Sequence, residues 1–208
     1  MEFTTYIYFL SASILLTLAP GPDNLYLLTK SLSGGAKSGV VLAAGLSSGI
    51  IFHTFLVMIG VAALIQSSTV AFTVLKIFGA AYLILLAYKA FQAARAGKKI
   101  SMQKSDLQNS FVKIYRRGVL MNVLNPKVLL FFLAFLPQFV NFSATSPSLQ
   151  IIFLGFTFAV QAFVIFSAMA ICAGKLRNLI LRKKNLGQLF NCVEASVLTI
   201  IALTLIIW

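Results

Sequence analysis

The sequence predicts an all-α integral membrane protein of about six spanning helices, built as one membrane domain from two inverted three-helix repeats. Three observations carry that expectation: an apolar composition, six long runs almost free of charge, and basic residues confined to alternate loops. Of 208 residues, 60% are hydrophobic and 10% charged, whereas soluble domains carry about 25% charged residues. Only lipid can cover so much apolar surface. A span takes roughly 20 apolar residues to cross a hydrocarbon core about 30 Å thick. Runs of that kind fall at about 5–28, 40–65, 70–92, 118–140, 149–173 and 188–208, and too little chain remains between them for a soluble domain. The first run, with no basic residue ahead of it and Pro20 near its end, reads as a span rather than a removable signal.

A formal charge of +13 would point to nucleic acid in a soluble protein, but the positions of the charges decide otherwise. The loop at 29–39 holds Lys30 and Lys37. The loop at 93–117 holds Arg95, Lys98, Lys99, Lys104, Lys113, Arg116 and Arg117, and the loop at 174–187 holds Lys175, Arg177, Arg182, Lys183 and Lys184. The loops at 66–69 and 141–148 have none. Basic residues flanking spans stay in the cytoplasm, so the first, third and fifth loops are expected there and both termini outside, in a multi-pass protein of the inner membrane. Attraction to anionic headgroups accounts for the charge, and nucleic acid is set aside. Cys172 and Cys192 stand alone, without CxxC spacing or a histidine cluster, and read as small packing residues. No disulfide, metal site or cofactor is implied.

Three spans precede the long basic loop and three follow it, so the halves, about 5–94 and 110–208, should be inverted copies. Their faint similarity lies in Pro20-Gly21-Pro22-Asp23-Asn24 of the first span and Asn125-Pro126-Lys127 of the fourth, with Pro20 set on Pro126. Proline removes a helical hydrogen bond and clashes with the preceding turn, and the freed groups are tolerated only against protein or a water-filled cavity. Both spans should therefore be broken beside a cavity. Each break also reads as a helix start: Asn125 suits an N-cap and Pro126 the first helical position, and Gly21 and Pro22 can take the same parts, with Asp23 in the first turn. A half-helix starting inside the membrane presents free amides and the positive end of its dipole, which is how several secondary transporters hold a carboxylate.

The stretch Ala19-Pro20-Gly21-Pro22-Asp23-Asn24, followed by the small and basic residues of Ser31 to Gly39, resembles the first-helix signature of the LysE/RhtB amino-acid exporters. Gly118 to Phe139, with Asn125-Pro126-Lys127, Phe131-Phe132 and Pro137-Gln138-Phe139, is similar to their fourth-helix signature. The resemblance covers the whole chain. It implies efflux of amino acids or close derivatives, such as homoserine, threonine, leucine or basic amino acids, driven by the proton gradient. The partners implied are the amino acid, a coupling proton and the lipid bilayer, and a homo-oligomer is compatible with it.

Within that frame the candidate substrate-binding residues are Asp23, Asn24, Asn125, Lys127 and Gln161, at breaks made by Pro20, Gly21, Pro22 and Pro126. A carboxylate inside a span is costly unless it works or is paired, so Asp23 is a site for the substrate ammonium or a proton. Its bland alternative is a helix-start residue held by the dipole. Lys127 offers itself to the substrate carboxylate or to Asp23, the alternative being a side chain that snorkels to the cytoplasmic face. Coupling-ion candidates are Asp23, Glu194 and His53, although Glu194 could instead pair with the preceding basic loop and His53 could be a hydrogen-bonded packing residue.

Gly45-Leu46-Ser47-Ser48-Gly49 matches the GxSxG pattern of hydrolases, which makes an intramembrane hydrolase the rival reading. On one helix, however, His53 lies about 240° round from Ser47 at 100° per residue. The same stretch forms small-xxx-small pairs that let helices approach closely. A passive channel is the third reading, and two symmetric breaks suit a carrier better.

Overall fold

The computed structural model describes residues 2–61, 68–96, 110–144, 146–175 and 186–207. These fold into helices: α1 (Phe3–Leu18), α2 (Pro22–Leu56, prolonged by a π-helical turn Val57–Val61), α3 (Thr69–Arg95), α4 (Phe111–Val123), α5 (Pro126–Leu130), α6 (Pro147–Lys175) and α7 (Leu186–Ile207). A π turn at Phe131–Phe135 and a 3-10 turn at Leu136–Phe139 carry α5 onward. Among the described residues, four helices are long and apolar enough to cross a bilayer, and Phe111–Val123 with Pro126–Phe139, bent by 49°, together make a fifth. This is an all-α integral membrane protein. The apolar α1 has 16 residues, about 24 Å of helix, and stops short of a full span.

The loop expected at 29–39 is absent. α2 runs through it, and the backbone leaves helical geometry only at Gly35, with φ 80° and ψ 170°. The serines that read as loop residues return their hydroxyls to the preceding turn instead: Ser31 Oγ donates to Leu27 O at 2.7 Å, Ser33 to Thr29 O at 2.9 Å and Ser38 to Gly34 O at 2.9 Å. Such back-bonding satisfies a hydroxyl in apolar surroundings and lets the helix persist. Gly35 then makes the one turn that a side chain would resist, because a positive φ costs an L-residue about 1–2 kcal/mol. Lys30, expected in a cytoplasmic loop, is 2% exposed on α2, whereas Lys37 is exposed. Of the basic residues expected in the two longer loops, Arg95 ends α3, Lys113, Arg116 and Arg117 lie on α4 and Lys175 ends α6, whereas Lys98, Lys99, Lys104, Arg177, Arg182, Lys183 and Lys184 lie outside the described residues.

α2 packs along α4 and α6, α3 along α7, and α1 touches α6 and α7. Where α2 crosses α4 the two backbones meet at Gly45 and Gly118, a contact that only small residues permit. Phe9 of α1 closes on Phe131 and Phe139 with centroids 6.2 and 5.5 Å apart, and Phe131 and Phe132 pack on Phe158 of α6 at 5.5 and 5.2 Å. This aromatic core fixes the segment after the second break against both α1 and α6. The two interrupted helices are thereby held side by side.

Candidate functional site

At the first break α1 stops at Leu18, and α2 begins with Gly21 as N-cap, Pro22 in the first turn and Asp23 beside it. At the second, α4 stops at Val123 and α5 begins with Asn125 as N-cap and Pro126 in the first turn. Asn125 Oδ1 accepts from the backbone N–H of Lys127 at 2.9 Å, the capping bond expected of asparagine at this position. Pro22 and Pro126 thus each open a helix, whereas Pro20 lies ahead of the N-cap. Asp23 and Lys127 each follow the proline that opens the helix.

Each break satisfies the charge of the other. Asn125 Nδ2 donates to Asp23 Oδ2 at 2.7 Å. Lys127 Nζ donates to Ala19 O at 2.8 Å and to Leu16 O at 3.3 Å, carbonyls at the end of α1 that lack a helical partner. A cation at a helix C-terminus also complements the dipole. Asp23 is 4% and Lys127 5% exposed, so Lys127 does not snorkel to a membrane face.

The other expected residues brace this pair. Asn24 Nδ2 donates to Thr17 O at 2.9 Å, tying α2 to α1 across the break. Gln161 Nε2 reaches from α6 to Thr17 Oγ1 at 2.9 Å and to Ser13 O at 3.4 Å. His53, fully buried on α2, donates from Nε2 to Asn122 O at 3.0 Å. Glu194 of α7 arrives from the far side. A Cβ built on Gly21 would lie 3.2 Å from Lys127 Nζ and 3.6 Å from Glu194 Oε1, so the bare backbone of Gly21 lets both groups close on the break. Lys127 thus stands in the field of two carboxylates, Glu194 and Asp23.

Asp23, Asn24 and Lys127 wall a cavity with Thr17 and Asn122 at its polar side and Leu16, Ile50, Val128, Phe158 and Phe166 at its apolar side. It measures about 10 Å³, room for roughly one water. Asn125, Gln161, Glu194 and His53 stand behind this wall. Sequence reasoning missed Asn122, Thr17 and Ser13. Asn122 left a signal, a polar residue inside an apolar run three positions before the N-cap. Ser47 and His53 do not form a pair: the Ser47 hydroxyl has no hydrogen-bond partner, and His53 is turned to Asn122.

Residues 14–208 match the family model for the LysE type translocator. The chain belongs to the LysE type translocator family. Its sequence is similar to the leucine efflux proteins of Salmonella choleraesuis (strain SC-B67) and Salmonella typhimurium (strain LT2), each 29% identical over 186 residues, 89% of this chain and 87% of the relative. The leucine efflux protein of Klebsiella pneumoniae subsp. pneumoniae is similar to the same extent, 29% over 186 residues. No solved structure matches the chain. Both breaks fall inside the stretch matched to the LysE type translocators, and a multi-pass transport protein is what the apolar helices and the family together describe.

Proposed function

We propose that this LysE type translocator exports amino acids with uncharged apolar side chains from the cytoplasm across the inner membrane, by alternating access coupled to proton entry. The observation that carries the reading is one cavity walled by a buried acid and a buried base, each at the start of a half-helix. A zwitterion crossing a bilayer needs a place for each of its charges, because an unmatched charge at that depth is expensive. Asp23 with Asn24 serves the ammonium, and Lys127 with the amides after Asn125 and Pro126 serves the carboxylate. The apolar wall of Leu16, Ile50, Val128, Phe158 and Phe166 favours an aliphatic side chain over a basic one, in keeping with the named activity of the leucine efflux relatives. The cavity must open to admit such a substrate, since ligand pockets run to several hundred Å³.

The carrier is built from six spans in two inverted halves. α1 with residues 22–34 makes the first broken span and α4 with residues 126–139 its inverted counterpart. Glu194 takes the coupling proton when the substrate carboxylate draws Lys127 away from it, with Asp23 and His53 as the other titratable groups nearby.

Counterflow of labelled amino acids in proteoliposomes tests the function. Leucine and its apolar neighbours are expected to exchange, lysine and arginine are not, and a panel without any counterflow would sink the reading, since a passive pore gives none. The orientation has its own test. Cysteine labels at positions 68 and 146 should react from outside the cell, and labels at 101 and 185, which lie outside the described residues, should not. Reversed accessibility would overturn the placement of both termini outside and the count of six.

A further inference from the structure

The side chain of Asn122, near the end of α4, is 2% exposed, and its Oδ1 has no hydrogen-bond partner. It lies on the wall of the same cavity as Asp23. An orphaned acceptor in apolar surroundings costs free energy, and each such group in a folded protein calls for an explanation. Looseness is not the explanation here, because Asn122 is held from three sides. Its backbone carbonyl accepts from His53 Nε2 at 3.0 Å and from the N–H of Asn125 at 2.9 Å. Its side chain rests against Gly49, where a Cβ would stand 2.7 Å from both Asn122 Cβ and Oδ1. The residue is fixed with its acceptor unspent.

What could satisfy that oxygen follows from its neighbour. Asp23 also presents only acceptors when ionised, and Asn125 occupies its Oδ2. Two acceptors on residues that line one cavity, one of them anionic, fit a cationic group with several N–H donors. Lys127, the cation at this wall, is already committed to Ala19 O and Leu16 O.

Resting on the exporter reading above, we propose that Asn122 is a substrate-binding residue whose Oδ1, with the Asp23 carboxylate, accepts hydrogen bonds from the α-ammonium group of the transported amino acid. His53 and Gly49 are positioning residues: the first fixes the Asn122 backbone, and the second leaves the space its side chain fills. An amino acid lacking its ammonium then loses both acceptors, and an Asn122 variant loses only the discrimination between the two compounds.

The test is competition against labelled leucine counterflow in proteoliposomes, by leucine and by 4-methylpentanoate, the same carbon skeleton without the ammonium. In Asn122→Ala the half-inhibitory concentration of leucine should rise about tenfold, the worth of one hydrogen bond to a charged donor, while that of 4-methylpentanoate stays unchanged. Asn122→Asp keeps an acceptor and adds charge, so leucine should compete at least as well as in the wild type and 4-methylpentanoate no better. The aspartate comparison stands even where the alanine variant does not fold. Equal shifts for both competitors, or none for either, would overturn the assignment and leave Asn122 a packing residue. A wild type without leucine counterflow would overturn the exporter reading and this one with it.

Discussion

Asp23→Asn and Lys127→Met are each expected to abolish export while the protein still inserts in the membrane, and they should do so in different ways. Asparagine at position 23 keeps an oxygen for the Asn125 amide that now bonds Oδ2 at 2.7 Å, so the break survives and only the charge is lost. Stability should change little and counterflow should fall by two orders of magnitude or more, the scale of about 3 kcal/mol for truncating one partner of a buried charge pair between protein and ligand. Methionine at position 127 keeps the length of the side chain but surrenders the bonds to Ala19 O and Leu16 O. It also leaves Asp23 and Glu194 without the cation between them. Lys127→Met should therefore lose transport and thermal stability together. Fractionation, melting in detergent and counterflow in liposomes separate the two patterns. Asp23→Asn should also change the pH dependence of whatever exchange remains, because one titratable group has left the site. Were both variants to transport at wild-type rates, the proposed site would be wrong, and Glu194 with Gln161 would be the next place to look.

The breaks were legible because proline and glycine act locally. Pro22 and Pro126 stop one helix and start the next whatever surrounds them, and Asp23 and Lys127 stand out because charges in apolar runs are rare. Which proline opens the first of these helices was not legible, since Pro20 and Pro22 are equally good candidates until the helix start is seen. Residues 29–39 misled for a different reason. Ser31, Ser33, Gly34 and Gly35 have loop composition, but hydroxyls that bond back to the preceding turn keep the helix intact, and composition does not say which course a serine takes. Asn122 was missed because what defines it is distant: its partner His53 lies 69 positions away, and its empty acceptor is a property of the packed structure alone. Glu194 was half legible. Its charge marked it, but only the approach of α7 to Gly21 places it beside Lys127.

Gly118→Leu and Gly49→Leu should prevent the protein from folding, and the backbone explains why nothing can yield. A Cβ at Gly118 would lie 2.7 Å from Leu42 O and 2.9 Å from Leu46 N, main-chain atoms inside α2 that cannot rotate aside. The reciprocal glycine, Gly45, meets Tyr115 O on α4. Even Gly118→Ala should cost about 1–3 kcal/mol, the usual penalty for overpacking, and a leucine there would force α2 and α4 apart. At Gly49 the obstacle is the Asn122 side chain, with Cβ and Oδ1 each 2.7 Å from the added atom, so Gly49→Leu would displace a residue of the cavity wall as well as the crossing. Two controls separate this from a general intolerance of change in α2. Gly60 has nothing within 4 Å of an added Cβ, so Gly60→Ala should insert and transport normally. Ser47→Ala removes a hydroxyl that has no partner and should leave transport nearly intact. Monodisperse recovery from detergent and counterflow measure all five. Normal folding of Gly118→Leu would show that α2 and α4 do not cross at glycine, whereas loss of activity in Ser47→Ala alone would bring back the hydrolase reading of the GxSxG stretch.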